Sequence, residues 1–213
     1  MLESTEFGAE DLVQVFGIQS SLQYFQLGLA GAMAQPFLAA PASLRLQNAA
    51  EILQNESTTT RDLALLIWDA YRTRETQQSL FMGYVQQLQA FHNLSPEEAQ
   101  AHARHFVASP DGVFPHGTGG AVDVTLLLNK EPAFMGTEFD AFVPKDAADW
   151  YRDHPPQTHA ETIAAQNREI LRSAMEGAGF VGIASEWWHF EWGTGHWARE
   201  TGQTPVLTRI LHR

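Results

Sequence analysis

Cysteine is absent from this chain of 213 residues. Disulfides and thiolate metal sites are excluded with it, so any transition metal must be held by histidine and carboxylate groups. Positive charge is also scarce. The 13 Lys and Arg stand against 25 Asp and Glu, a formal charge of −12, and no basic stripe is present to displace counterions from a polyanion. Nucleic acid is therefore not expected as a partner. No apolar run is long enough for a membrane span: the most apolar stretch, Phe25 to Ala40, is broken by Gln26, Gln35 and Pro36. The opening residues, Met1 to Asp11, are acidic where a secretory leader would be basic. On that ground the chain reads as cytoplasmic, or as periplasmic if a leader has been removed. A Gly-x-Ser-x-Gly elbow is missing too, which argues against a serine hydrolase. No feature of the sequence speaks to oligomeric state.

What is present supports a core. Hydrophobic residues make up 44%, and Gly and Pro are spread along the chain rather than massed in a linker. No repeat or low-complexity tract divides it, so residues 1–213 are expected to form one domain. Pro41, Leu46, Ala49, Ala50 and Leu53 have helical spacing, and Asp62 to Ala70 reads as a buried strand. A second helix places Leu80, Phe81, Tyr84, Val85, Leu88 and Phe91 on one face. Ser95-Pro96-Glu97-Glu98 combines an N-cap, a first-turn proline and a capping-box glutamate, predicting a third helix to about Val107. Ser109 to Gly120 reads as loop and Ala121 to Leu128 as strand. A further helix follows Thr158 and stops at Gly177 and Gly179. Phe180 to Trp192 reads as a strand or hairpin. Helices come first and strands interleave later without βα alternation, which predicts an α+β fold with a central antiparallel sheet flanked by helices.

Most of the nine histidines sit among polar neighbours and read as surface residues: His92, His102, His105, His154, His159 and His212. His102 and His105, three apart on a helix, can chelate in principle but lack a carboxylate at matching spacing. His116 differs. It opens the glycine-rich run His116-Gly117-Thr118-Gly119-Gly120-Ala121-Val122-Asp123, in which the backbone can bend tightly. His116 and Asp123 can meet there at one point, or the run can be a glycine turn with a capping histidine. Glu186-Trp187-Trp188-His189 supplies another carboxylate and imidazole between aromatic walls that exclude water. On a regular strand residues three apart face opposite ways. Both can serve one site only if the segment bulges or Glu186 acts from an edge; otherwise this is an aromatic core strand with its polar residues outward.

Together these segments resemble the D-alanyl-D-alanine dipeptidase family of zinc peptidases. The family pattern Ser-x-His-x-x-Gly-x-Ala-x-Asp is read here as Phe114-Pro115-His116 through Asp123, and its Glu-Trp-Trp-His as Glu186 to His189. Asp69-Ala70-Tyr71-Arg72 is similar to the family's Asp-x-Tyr-Arg, and Met135-Gly136-Thr137-Glu138-Phe139-Asp140 to its Met-Gly-(Thr/Ser)-x-Phe-Asp. The four motifs occur in family order within residues 63–192.

The resemblance implies one zinc ion per chain, held by His116, Asp123 and His189, with a fourth position left for water. It implies Glu186 as general base, Arg72 as the cation facing the oxyanion, and Asp140 near the amino end of a short peptide substrate, with Phe114 and Tyr71 among the substrate contacts. The chain also departs from the family. Phe114 replaces a serine, and Gln19, Ser20, Tyr24 and Phe25 stand where the family has charged or polar residues that shape the dipeptide pocket. Weak discrimination among dipeptides is the expected consequence. Two alternatives remain: a D,D-carboxypeptidase or other cell-wall peptidase on the same scaffold, and a zinc-binding module without turnover.

Overall fold

A computed structural model describes Gly8, residues 11–104 and residues 107–212. His105 and most of the acidic opening segment lie outside the described residues. The strands are β1 (Leu12–Gln14), β2 (Gln19–Ser20), β3 (Phe37–Ala39), β4 (Leu63–Asp69), β5 (Ala121–Leu128), β6 (Glu131–Pro132), β7 (Val181–Ile183) and β8 (Glu186–Glu191). The helices are α1 (Gln23–Gln26), α2 (Ala40–Glu56), α3 (Arg74–His92), α4 (Pro96–Ala103), α5 (Trp150–Asp153), α6 (His159–Gly177) and α7 (Gly195–Thr201).

The main sheet runs β2–β4–β5–β8–β7, with β6 on the end of β5, and β1 pairs separately with β3. Among the described residues every pairing is antiparallel except β2 with β4. The fold is thus α+β around a central sheet, with a parallel edge that the sequence pattern does not announce. Phe25 to Ala40 is not one element. Phe25 is exposed in α1, whereas Phe37–Ala39 is buried in β3. No helix among the described residues is long and apolar enough to cross a membrane.

Alternation along β5 decides which face carries chemistry. Val122, Val124 and Leu126 join one core with Leu46 and Leu53 of α2 and Leu171 and Met175 of α6. Burying each large side chain contributes roughly 1.5–3 kcal/mol. Asp123 and Thr125 turn to the opposite face and are buried there as well. Thr158 caps α6 by accepting from the Glu161 amide at 3.2 Å, and Ser95 and Glu98 complete the capping box of α4. The stripe expected on α3 splits in two. Phe81, Val85 and Leu88 pack with Ala99 and Ala103 of α4, while Leu80 turns elsewhere and Phe91 is 82% exposed. The third helix ends at Ala103 rather than near Val107.

The glycines after His116 set the entry to β5. Gly119 has φ +70, a left-handed conformation that favours glycine, and a Cβ there would stand 2.8 Å from the Ala39 nitrogen. Gly120 needs glycine for closeness instead: its Cβ would meet the Trp192 carbonyl oxygen at 2.6 Å and Leu207 Cδ1 at 2.9 Å. Backbone cannot yield as a flexible side chain does. Gly120→Ala should therefore cost about 1–3 kcal/mol, seen as a lower denaturation midpoint with an unchanged m-value. An unaltered midpoint would show that the contact is relieved at no cost.

Candidate metal centre

Three neighbouring strands set their polar residues in one row. The β4–β5 register shifts between Ile67 and Asp69, which sets Asp69 opposite Asp123, and Asp123 pairs in turn with His189 of β8. His116 reaches the same place from the 3-10 turn Pro115–Thr118 ahead of β5. One donor atom from each of His116, Asp123 and His189 lies within 4.8 Å of the others, and all three residues are buried. His116 Nε2 is 3.3 Å from Asp123 Oδ1 and 3.2 Å from His189 Nδ1, and His189 Nδ1 is 2.9 Å from Asp123 Oδ1.

The far side of each ring fixes what the near side offers. His116 Nδ1 lies 2.7 Å from the Ala70 carbonyl, which only accepts, so this nitrogen carries the proton and Nε2 presents a lone pair. His189 Nε2 faces Glu191 Oε1 at 3.2 Å, which likewise leaves Nδ1 for the centre. Two imidazole lone pairs and a carboxylate oxygen then converge on one point, an arrangement that calls for a cation. Ring N–H groups held by a carbonyl and a carboxylate are the outer contacts that metal-binding histidines ordinarily have. The donor set fits a borderline metal such as zinc. A proton competes with a cation for the His189 lone pair. Burial disfavours a charge on His189, but Asp123 and Glu191 on its two nitrogens outweigh that and push it up to about 10. Burial alone would raise Asp123, yet His116 and His189 hold it far below the usual carboxylate range. Binding a divalent ion here displaces a proton.

Arg72, just past β4, is locked beside this centre. Its Nε donates to Asp69 Oδ2 at 2.9 Å, its Nη1 donates to Gln77 Oε1 at 2.9 Å, and its Nη2 lies 3.5 Å from Asp123 Oδ2. The guanidinium also sits 4.8 Å over the Tyr24 ring. Burial works against its charge, but Asp69, Tyr24 and Asp123 more than compensate, so Arg72 stays protonated. The second N–H of Nη1 remains for a ligand.

Glu186 joins the site through a bulge. Along β8 the β7 partners are Glu191, Phe190 and then Glu186, so Trp187, Trp188 and His189 bow out of the ladder. The ordinary alternation is broken, and Glu186 and His189 line one cavity of about 360 Å³ together with His116, Asp123, Arg72 and Asp140. Burial pushes Glu186 up to about 7. It also pushes Asp140 up to about 6, although the Tyr24 hydroxyl donating to Asp140 Oδ2 at 2.6 Å pulls the other way. Asp123, Asp140, Glu186 and Glu191 line the cavity, with Arg72 the only Arg or Lys there among the described residues, which suits a cation and an ammonium.

Two expected substrate contacts fare differently. Phe114 lines the cavity, yet it is 1% exposed and packs on Gly117, whose Cβ would meet its ring at 2.6 Å. Tyr71 is not among the lining residues. Its ring belongs to the main core and its hydroxyl donates to the Leu211 carbonyl at 2.8 Å, so the fold turns it away from the cavity and not toward a substrate. Glu191 and Gln77 are absent from the site expected from sequence, which names Asp69 and Tyr24 only as motif positions, without the roles that the structure gives them. Glu191 was findable, because residues two apart on a strand share a face. Gln77 had no local signal.

The D-ala-D-ala dipeptidase family model matches residues 39–206. A D-alanyl-D-alanine dipeptidase of Streptomyces coelicolor is 37% identical over 59% of this chain and 60% of its own length. Another, from Enterococcus faecium, is 33% identical over 63% of this chain and 65% of its own length. The chain spans between 38% and 65% of the length of the curated relatives it matches. The solved structure of VanYB in complex with D-alanine-D-alanine aligns with a TM-score of 0.48 at 19% identity, covering 79% of this chain and 80% of that one.

Proposed function

From the premise that this chain belongs to the D-Ala-D-Ala dipeptidase family, we propose that residues 1–213 act as one zinc-dependent catalytic domain hydrolysing D-alanyl-D-alanine or a related short peptide. The observation that carries this reading is the convergence of His116 Nε2, Asp123 Oδ1 and His189 Nδ1 in the cavity that Glu186 and Arg72 also line.

Each residue then has a task. His116, Asp123 and His189 hold the ion, which when bound supplies Lewis acidity and makes a water acidic near neutral pH. Glu186 accepts the proton of the attacking water and passes it to the departing amine, and its raised proton affinity suits both steps. Arg72 is held by Asp69 and Gln77 so that its remaining N–H faces the charge developing on the scissile carbonyl oxygen. Asp140, positioned by Tyr24, receives the ammonium of the substrate. The aromatic cluster of Trp68, Phe139, Trp187 and Trp188 backs the site with rings 5.0–5.7 Å apart and keeps it rigid.

Metal analysis beside a dipeptide assay tests the reading. The purified chain should carry about one zinc, cleave D-Ala-D-Ala, and lose activity to a chelator with recovery on adding zinc back. Undiminished peptidase activity after complete removal of metal would overturn it.

A further inference from the structure

The cavity exceeds what two alanine residues need. At about 360 Å³ it falls within the range of sites for drug-sized ligands, roughly 300–1,000 Å³. The polar lining comes mainly from the sheet and its turns. Much of the remainder comes from α3, where Leu80, Gly83, Tyr84 and Gln87 recur at helical spacing and all line the cavity. This stripe adjoins the Phe81–Val85–Leu88 stripe that packs on α4, and Tyr84 packs against that cluster as well as lining the cavity. Gly83 lies at its centre. Glycine inside a helix is unfavourable relative to alanine, and a Cβ at Gly83 would meet no atom within 4 Å. No crowding in the fold requires glycine here, and what its missing side chain leaves is room beside Leu80 and Tyr84.

Phe142 completes the wall. Its ring stacks on Tyr84 at 5.2 Å with 48% of the residue left exposed. Its φ of +52 and the +53 of Asp140 are left-handed, a conformation in which a bulky side chain is an outlier. Half-exposed, Phe142 is not fixed there by burial in a core. The loop instead presents an aromatic ring two residues beyond the carboxyl that takes the substrate ammonium.

We propose that Leu80, Gly83, Tyr84 and Phe142 form a pocket for a bulky apolar or aromatic side chain on the amino-terminal residue of the substrate. This rests on the dipeptidase reading and on Asp140 as the ammonium site. The amino-terminal side chain is the one nearest that ammonium, and hence the one the wall meets.

The test uses the zinc-loaded full chain with D-Phe-D-Ala, D-Ala-D-Phe and D-Ala-D-Ala. The wild type should prefer D-Phe-D-Ala to D-Ala-D-Phe by about tenfold or more in kcat/KM. Gly83→Leu, which fills the space, should lower the ratio of D-Phe-D-Ala to D-Ala-D-Ala by about tenfold. Phe142→Ala should lower the same ratio from the loop side, so one poorly folded variant does not decide the matter. Equal use of D-Phe-D-Ala and D-Ala-D-Phe, or an unmoved ratio in both variants, overturns the pocket. If no dipeptide is cleaved, the dipeptidase reading fails by itself. Calorimetric dissociation constants for the same three peptides then decide the pocket by the same ratios.

Discussion

Glu186→Gln is expected to keep the fold and the zinc while lowering kcat for D-Ala-D-Ala by at least about a hundredfold, the usual scale for losing a general base. Glutamine preserves the shape of the side chain and removes only its capacity to take a proton. Glu186 is half-buried at the edge of the cavity, where desolvation pushes it up to about 7, so the substitution also removes a carboxylate that the fold holds at a desolvation cost. Stability should not suffer, and near neutral pH a melt of the metal-free variant should fall close to the wild type. The pH dependence carries a sign. A base works deprotonated, so kcat/KM must fall as pH drops through the Glu186 value. A bound cation nearby favours the carboxylate, which places the acid limb of the loaded enzyme at or below about pH 7. Should the variant lose its zinc while remaining folded, Glu186 is a ligand and the division of labour among Glu186, His116, Asp123 and His189 is wrong.

The parts of this fold that were legible in the sequence are those set by local pattern. α2, α3, α6, β4 and β5 follow from apolar spacing, and the start of α4 follows from the hydrogen-bonding capacity of Ser95 and Glu98. β2 is two exposed residues that become a strand only by pairing with Leu66 and Ile67. β1 and β3 likewise exist through each other. No local signal announces such elements, because the stabilising partner is distant in sequence. The candidate site divides the same way. His116, Asp123, Glu186 and His189 stood out by residue type and motif. That Glu186 and His189 share a cavity required the bulge from Trp187 to His189, which only the β7–β8 register reveals. Asp69 and Gln77, which lock Arg72, depend on a register shift in the β4–β5 pairing and on where α3 begins. Tyr71 misled because motif membership does not say which way a side chain points; it lies in the core, bonded to Leu211.

His116→Ala and His189→Ala should each abolish tight zinc binding, taking metal retained after dialysis from about one ion per chain to near none, and activity with it. The reason is the economy of the donor set. With no cysteine in the chain, three buried groups supply the donor atoms at the centre among the described residues, and two donors do not retain zinc against dialysis. Glu191→Gln offers a graded comparison. It leaves all three donors and weakens only the carboxylate contact that orients His189 from its Nε2 side, 3.2 Å away. Loss of such an outer contact typically costs 10–100-fold in affinity, so this variant should bind zinc weakly rather than not at all. His154→Ala is the control, since that ring is exposed and stacks 3.8 Å from Trp150; it should retain the wild-type zinc content. The ligand variants must also be folded for the result to count, and circular dichroism of the metal-free proteins settles that. Removing an imidazole takes from Asp123 one of the two histidines that, with Arg72, offset its burial, so the apo variants should be somewhat less stable near neutral pH, yet native. Full zinc occupancy in a folded His116→Ala/His189→Ala double variant would place the metal elsewhere in the molecule and end the assignment.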